Sequence, residues 1–191
     1  MTARTHDTFA LALLTTAAVY YPPANLNIPT LFGVLVGSVV GSLIPDMDQG
    51  SNRLWDMLPA GNTVGKIFRR LFLGHRTISH SLLGFYLFFK FFEFVLPKFL
   101  NTTVINTNLV FASIMIGIAS HLIADALTKD GIPLFFPLSI KVGIPPIKAF
   151  RVKTDTWVEH FLVLPAVVGY LIWIINANQE VLKKLLNNLY S

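Results

Sequence analysis

The chain has 191 residues, enough for one domain, and 53% of them are hydrophobic against 13% charged. With a mean hydropathy of +0.61, an ordinary soluble globule is excluded and a membrane protein is the first expectation. Cysteine is absent, so disulfides, thiolate metal sites and cysteine nucleophiles are excluded too. The formal charge of +5 comes from basic residues scattered through loops between apolar segments, which suits anionic lipid headgroups and argues against nucleic acid.

Residues 9–21 form a first apolar segment closed by Pro22-Pro23, read as a membrane helix that begins near His6. A signal peptide is rejected because Tyr20-Tyr21-Pro22-Pro23 makes a poor cleavage site. Residues 30–44 form a second segment, short for a full span of about 20 residues. Its Gly33, Gly37 and Gly41 recur every four residues and prepare a face for close approach of another helix. Pro45 ends it and leaves Asp46 and Asp48 at its mouth.

The connection 49–73 is the longest polar one, and its Ile67-Phe68 and Leu71-Phe72 pairs predict a helix lying along the interface. The octet Gly74-His75-Arg76-Thr77-Ile78-Ser79-His80-Ser81 then concentrates two imidazoles, a guanidinium and three hydroxyls before a third span over 79–96. Within that span Lys90 and Glu93 are three apart and predicted to pair.

Residues 109–127 form the fourth span, clean until Ser120 and carrying His121 and Asp125 near its end. The basic segment 128–156 holds four prolines from Pro133 to Pro146, too many for a spanning helix, and is expected to run along the membrane surface. Residues 157–175 form the fifth span, with Trp157 and Trp173 as interface anchors, and an amphipathic tail follows. The expected architecture is therefore one all-α domain over 1–191, a polytopic helical membrane bundle with about five spans and interfacial segments.

If the spans alternate, eleven Lys and Arg fall on the side of residue 4 and of the 45–79 and 128–156 connections, against Lys98, Lys183 and Lys184 on the other. The first side is read as cytoplasmic. The same alternation puts His6, Asp46, Asp48, His75, His80, His121, Asp125, Glu159 and His160 on that side, which includes every histidine of the chain. His121 and Asp125, four apart, share a helix face. Burying so many carboxylates and imidazoles at the edge of lipid is costly unless a cation compensates.

The expectation is a divalent metal held by Asp48, His75, His80, His121, Asp125, Glu159 and His6. Zinc is preferred, with manganese or iron as alternatives. Asp46 and Arg76 are assigned to catalysis, Asp46 toward water and Arg76 toward charge developing on a phosphoryl or acyl oxygen. Bland roles compete residue by residue: Asp46 and Asp48 as solvated helix-end caps, His80 with Ser81 as a cap, and Arg76 as a headgroup ligand.

Three elements carry a resemblance: Leu43-Ile44-Pro45-Asp46-Met47-Asp48, His75-Arg76-Thr77-Ile78-Ser79-His80-Ser81, and His121-Leu122-Ile123-Ala124-Asp125-Ala126-Leu127-Thr128 with Gly131 and Pro137. Together they resemble the YdjM-like inner-membrane proteins, described as candidate metal-dependent hydrolases, over His6 to about Glu159. More remotely, the His-x-x-x-Asp pair is similar to that of zinc-dependent phospholipase C and the single-strand-specific zinc nucleases. That likeness implies phosphodiester hydrolysis with Asp46 or Asp48 positioning or deprotonating water. The expected activity is hydrolysis of a lipid-derived phosphoester by a multi-pass enzyme of the inner (plasma) membrane, with membrane lipid as environment and substrate and the site facing the cytoplasm. A metal or proton transporter and a noncatalytic scaffold with a structural metal are the competing classes.

Overall fold

The computed structural model describes residues 1–48, 55, 63 and 77–189, the side chain of residue 48 excepted. Among the described residues six α-helices are delimited: α1 (Ala3–Tyr20), α2 (Ile28–Leu43), α3 (Leu82–Phe99), α4 (Thr107–Ala126), α5 (Leu164–Ala177) and α6 (Gln179–Asn187). The described residues contain no β-strand, only isolated bridges from Thr128 to Val152 and from Ile132 to Val142. The interfacial helix expected over 49–73 lies outside the described residues.

The helix starts follow local chemistry. Asn27 accepts from the Thr30 amide at 2.8 Å, with Pro29 in the first turn of α2. Ser81 accepts from the Gly84 amide at 3.1 Å. This cap moves the start of α3 to Leu82 and leaves Ser79 and His80 in a 3-10 turn, Ile78–His80, where the sequence pattern predicted helix from residue 79. A second 3-10 turn, Pro45–Asp48, follows α2 because Pro45 cannot donate the next helical hydrogen bond.

The centre of the molecule is the pairing of α2 with α4, on which α1 packs. Their backbones meet at Gly41 and Gly117: a Cβ on Gly41 would overlap the Ile114 carbonyl, and one on Gly117 the Ser38 carbonyl. Around this contact Ile44, Phe88, Val110, Ile114, Met115 and Ile118 form the buried apolar core.

Two helical stretches, Thr107–Ala126 and Glu159–Ala177, are long and apolar enough to cross a membrane. The first is largely buried within the bundle, whereas the second turns Phe161, Ile172 and Trp173 outward. Five spans are not established by length and composition. With 16 residues α2 rises about 24 Å, less than a hydrocarbon core of about 30 Å. Helix α3 carries Lys90, Glu93 and Lys98, and α1 begins with Arg4, His6 and Asp7. Lys90 and Glu93 do pair, at 2.7 Å on an exposed face.

Candidate metal centre

Three segments distant in sequence meet at one end of the bundle. The turn after α2 brings Asp46, the turn before α3 brings His80, and the last turns of α4 bring His121 and Asp125. His80, His121 and Asp125 are almost completely buried, and Asp46 forms the more open edge with its side chain 24% exposed.

Both imidazoles are aimed by groups behind them. A helix leaves its last carbonyls without internal donors, and one of these, Ser42 O in α2, lies 2.6 Å from His121 Nδ1. That contact puts the proton on Nδ1 and leaves the Nε2 lone pair facing inward. His80 Nδ1 stands 2.9 Å from Ser79 Oγ, which likewise turns Nε2 toward the cluster.

The inward atoms are spaced as ligands of one ion would be. His80 Nε2 and His121 Nε2 are 3.3 Å apart. From His80 Nε2 it is 3.4 Å to Asp46 Oδ1 and 3.5 Å to Asp125 Oδ2. From His121 Nε2 the same oxygens are at 3.6 and 3.8 Å. Two donors about 2.0–2.1 Å from a tetrahedral zinc stand about 3.3–3.4 Å apart, so these separations approximate the edges of such a shell. Two carboxylates with two neutral imidazoles carry two negative charges, of which the one on Asp125 also faces the Met1 ammonium.

His6 closes the cluster from α1. Its ring lies parallel to that of His121, centroids 3.8 Å apart and planes within 7°, and its Nε2 is 3.4 Å from Asp125 Oδ1. Two triads, His6–Asp46–His121 and His80–His121–Asp125, therefore have metal-ligating proximity. His121 has a single free nitrogen, so the triads describe one ion position. A point in the plane of His121 is well out of the plane of a ring stacked on it, which makes His6 a wall of the site and a support for Asp125. His6 is buried, and its Nδ1 has no hydrogen-bond partner. Asp125 Oδ1 also meets the α-amino group of Met1 at 2.6 Å.

The electrostatics fit a cation-ready cluster. Burial pushes the Asp46 carboxyl up, but the imidazoles of His121 and His80 outweigh it and hold the group well below the usual carboxylate range. Burial pulls His80 down, and the carboxylates of Asp125 and Asp46 more than reverse that, raising it above its ordinary 6.5.

Of the residues singled out from sequence, His6, His80, His121, Asp46 and Asp125 converge. Asp46, assigned there to water activation, stands among the ligand atoms. Glu159 is elsewhere: its Oε1 accepts from the Thr2 amide and hydroxyl and the Thr5 hydroxyl at 2.6–3.0 Å, and its Oε2 from the Asp155 amide at 2.8 Å. These donors make it an anchor between the start of α1 and a π-helical turn, Glu159–Val163, before α5. His160 pairs with Asp155 at 3.0 Å on the surface. His75, Arg76 and the side chain of Asp48 lie outside the described residues. Nothing in the residue pattern points to the Ser42 carbonyl, a backbone atom, while Ser79 is visible there as the hydroxyl neighbour of a histidine.

Comparison with known proteins covers nearly the whole chain. A family model described as YdjM inner membrane protein matches residues 1–181. The chain belongs to the YdjM inner membrane protein family. It is 37% identical over 162 residues to the uncharacterized protein YvsG of Bacillus subtilis, covering 85% of this chain and 87% of that one. It is 28% identical over 152 residues to the inner membrane protein YdjM of Escherichia coli, covering 76% and 70%, with the same figures for the Shigella flexneri protein. No solved structure matches. As a YdjM-family chain it is a membrane protein, and its buried His and Asp groups are able to hold a metal ion.

Proposed function

We propose that this YdjM-family protein is a multi-pass, metal-dependent hydrolase that cleaves a lipid-derived phosphoester at the cytoplasmic face of the inner membrane. The observation that carries the reading is the spacing of two imidazole nitrogens, 3.3 Å from each other and 3.4–3.8 Å from the carboxylates of Asp46 and Asp125, with the Nδ1 atom of each imidazole already committed behind. His80, His121, Asp46 and Asp125 hold the cation, with zinc preferred over manganese or iron. Bound there, a divalent cation supplies a Lewis acid and a nucleophile from water near neutral pH.

The chain's own groups do the rest. Ser42 O and Ser79 Oγ orient the imidazoles, His6 walls the site, and the partly exposed Asp46 edge is where substrate enters. Arg76, four residues before His80 in the sequence, is assigned to the phosphoryl oxygens. Water adds to phosphorus, the P–O ester bond breaks, and the leaving alcohol takes a proton. Five crossings place these groups on the side richest in Lys and Arg.

The decisive measurement is elemental analysis of purified protein beside His121→Ala and Asp125→Ala, followed by assay of the metal-loaded protein on phospholipids and lipid phosphates. About one ion per chain, lost in both variants, with release of phosphate or a phosphorylated headgroup, is the expected result. Equal metal content in all three proteins removes the site.

A second reading has its own support: two imidazoles with a carboxylate close to each side supply as many protein groups as a structural zinc site uses. In that case the loaded protein is inert toward every lipid phosphate, while chelation lowers its unfolding temperature. Transport is less well supported, because the donors gather at helix ends rather than at mid-membrane breaks.

A further inference from the structure

The segment 127–156 is folded without an α-helix, holding only a 3-10 turn at Lys148–Phe150, yet it is tied down. The Lys129 amide donates to Val152 O and the Val152 amide to Leu127 O, while Ile132 and Val142 exchange both hydrogen bonds at 2.8–2.9 Å. The Arg151 guanidinium lies across Gly143, where a Cβ would strike it, and donates to the carbonyls of Pro145 and Pro146 at 2.7 and 2.8 Å. Such fixing would serve a loop that buries its apolar residues, but this one turns them out. Six large apolar side chains between Phe135 and Phe150 are exposed, among them Leu138, Ile147 and, at 74%, Phe150. Lys129, Lys141, Lys148 and Lys153 are exposed among them. The segment carries five cations against two carboxylates, Asp130 and Asp155.

We infer that this segment is a preformed collar that inserts its apolar row among lipid tails and binds the headgroups of anionic phospholipids with its four exposed lysines. It continues directly from the end of α4, one of the two stretches fit to cross a bilayer, so it sits at headgroup depth. Pairing of backbone groups within the segment lowers the cost of bringing a non-helical chain up to the hydrocarbon boundary. Lysine stems can lie along the apolar side chains while their ammonium groups reach the phosphates. Each cation near an anionic surface adds to the attraction. A protein partner would fit the apolar row, but the lysines set along that row select an extended anionic surface. The inference uses the membrane location given by the family and is independent of the metal reading.

The absence of cysteine makes the test direct. Full-length Leu138→Cys, Ile147→Cys, Phe150→Cys and, as an aqueous control, Thr103→Cys are labelled with an environment-sensitive fluorophore. They are reconstituted in phosphatidylcholine bilayers with or without phosphatidylglycerol. Brominated lipid should quench the three collar labels and spare the control, which iodide should quench instead. Lipid retained by the protein from a mixed bilayer should be enriched in phosphatidylglycerol by about threefold or more, and a Lys129→Gln/Lys141→Gln/Lys148→Gln/Lys153→Gln variant should lose the enrichment. Collar labels as open to iodide as the control overturn the inference, as does enrichment unchanged in the fourfold variant. Labels wet in purified bilayers but shielded in native membranes also overturn it, in favour of a protein partner.

Discussion

Ser79 Oγ, 2.9 Å behind His80 Nδ1, turns His80 Nε2 toward the cluster, which on the proposed reading aims a ligand. Removing such a support typically weakens metal binding about 10–100-fold. Ser79→Ala is accordingly expected to keep the metal stoichiometry at saturation and to lose affinity by that factor in competition with a chelator. His80 also sets the pH behaviour. Its folded pKa is raised above 6.5, so the proton-bound form stabilises the metal-free protein fully below 6.5, and that contribution is lost as pH rises through the raised value. The metal needs the same nitrogen unprotonated. Affinity should therefore climb as pH rises through the raised pKa, while the metal-free protein loses unfolding temperature over the same range; metal titrations and thermal scans from pH 6 upward measure both. An affinity flat across that range would contradict His80 as a ligand.

Among the helices, the contact of α2 with α4 is the least forgiving. A methyl group at Gly41 meets backbone, which cannot rotate away, and overpacking of this kind costs about 1–3 kcal/mol. Gly41→Ala should lower the unfolding temperature in detergent, and it should also weaken metal binding because Ser42 O and Asp46 ride on the end of α2. Glu159 acts between elements in another way. Glu159→Ala leaves the Thr2, Thr5 and Asp155 donors without their acceptor, at about 1–3 kcal/mol for a buried group left unpaired. Lower thermal stability with an unchanged metal content is expected. Loss of metal on that substitution alone would return Glu159 to the ligand set. The π turn that presents it follows from Pro165, which lacks the amide that regular α-helix would require.

For the molecule as a whole, the orientation and the number of crossings remain a single testable arrangement. With cysteines placed at Thr103 and Lys153, a membrane-impermeant maleimide added to intact cells should label the first only, and the second only after the membrane is opened. Labelling of both from one side would leave an even number of crossings between them and undo the five-span topology. The exposed apolar faces of α3 and α5 have no described protein neighbour to cover them, as lipid-facing helices require.

Much was legible in the residues alone because it depends on local rules. Hydrophobic run lengths marked the main helical segments, Pro45 and Ser81 marked where two of them stop and start, and glycines at four-residue spacing marked the face by which α2 packs. Three of the five histidines, His6, His80 and His121, come together in the structure, whereas His160 turns to Asp155 on the surface. Three-dimensional packing decided what spacing along a chain does not encode. It selected which nitrogen of His121 is free, through a carbonyl on another helix. It placed Asp46 among the donors and drew Glu159 away to the first turn of α1. A ligand set is defined by ångström distances between side chains far apart in sequence, and those distances exist only once α1, α2 and α4 have closed against one another.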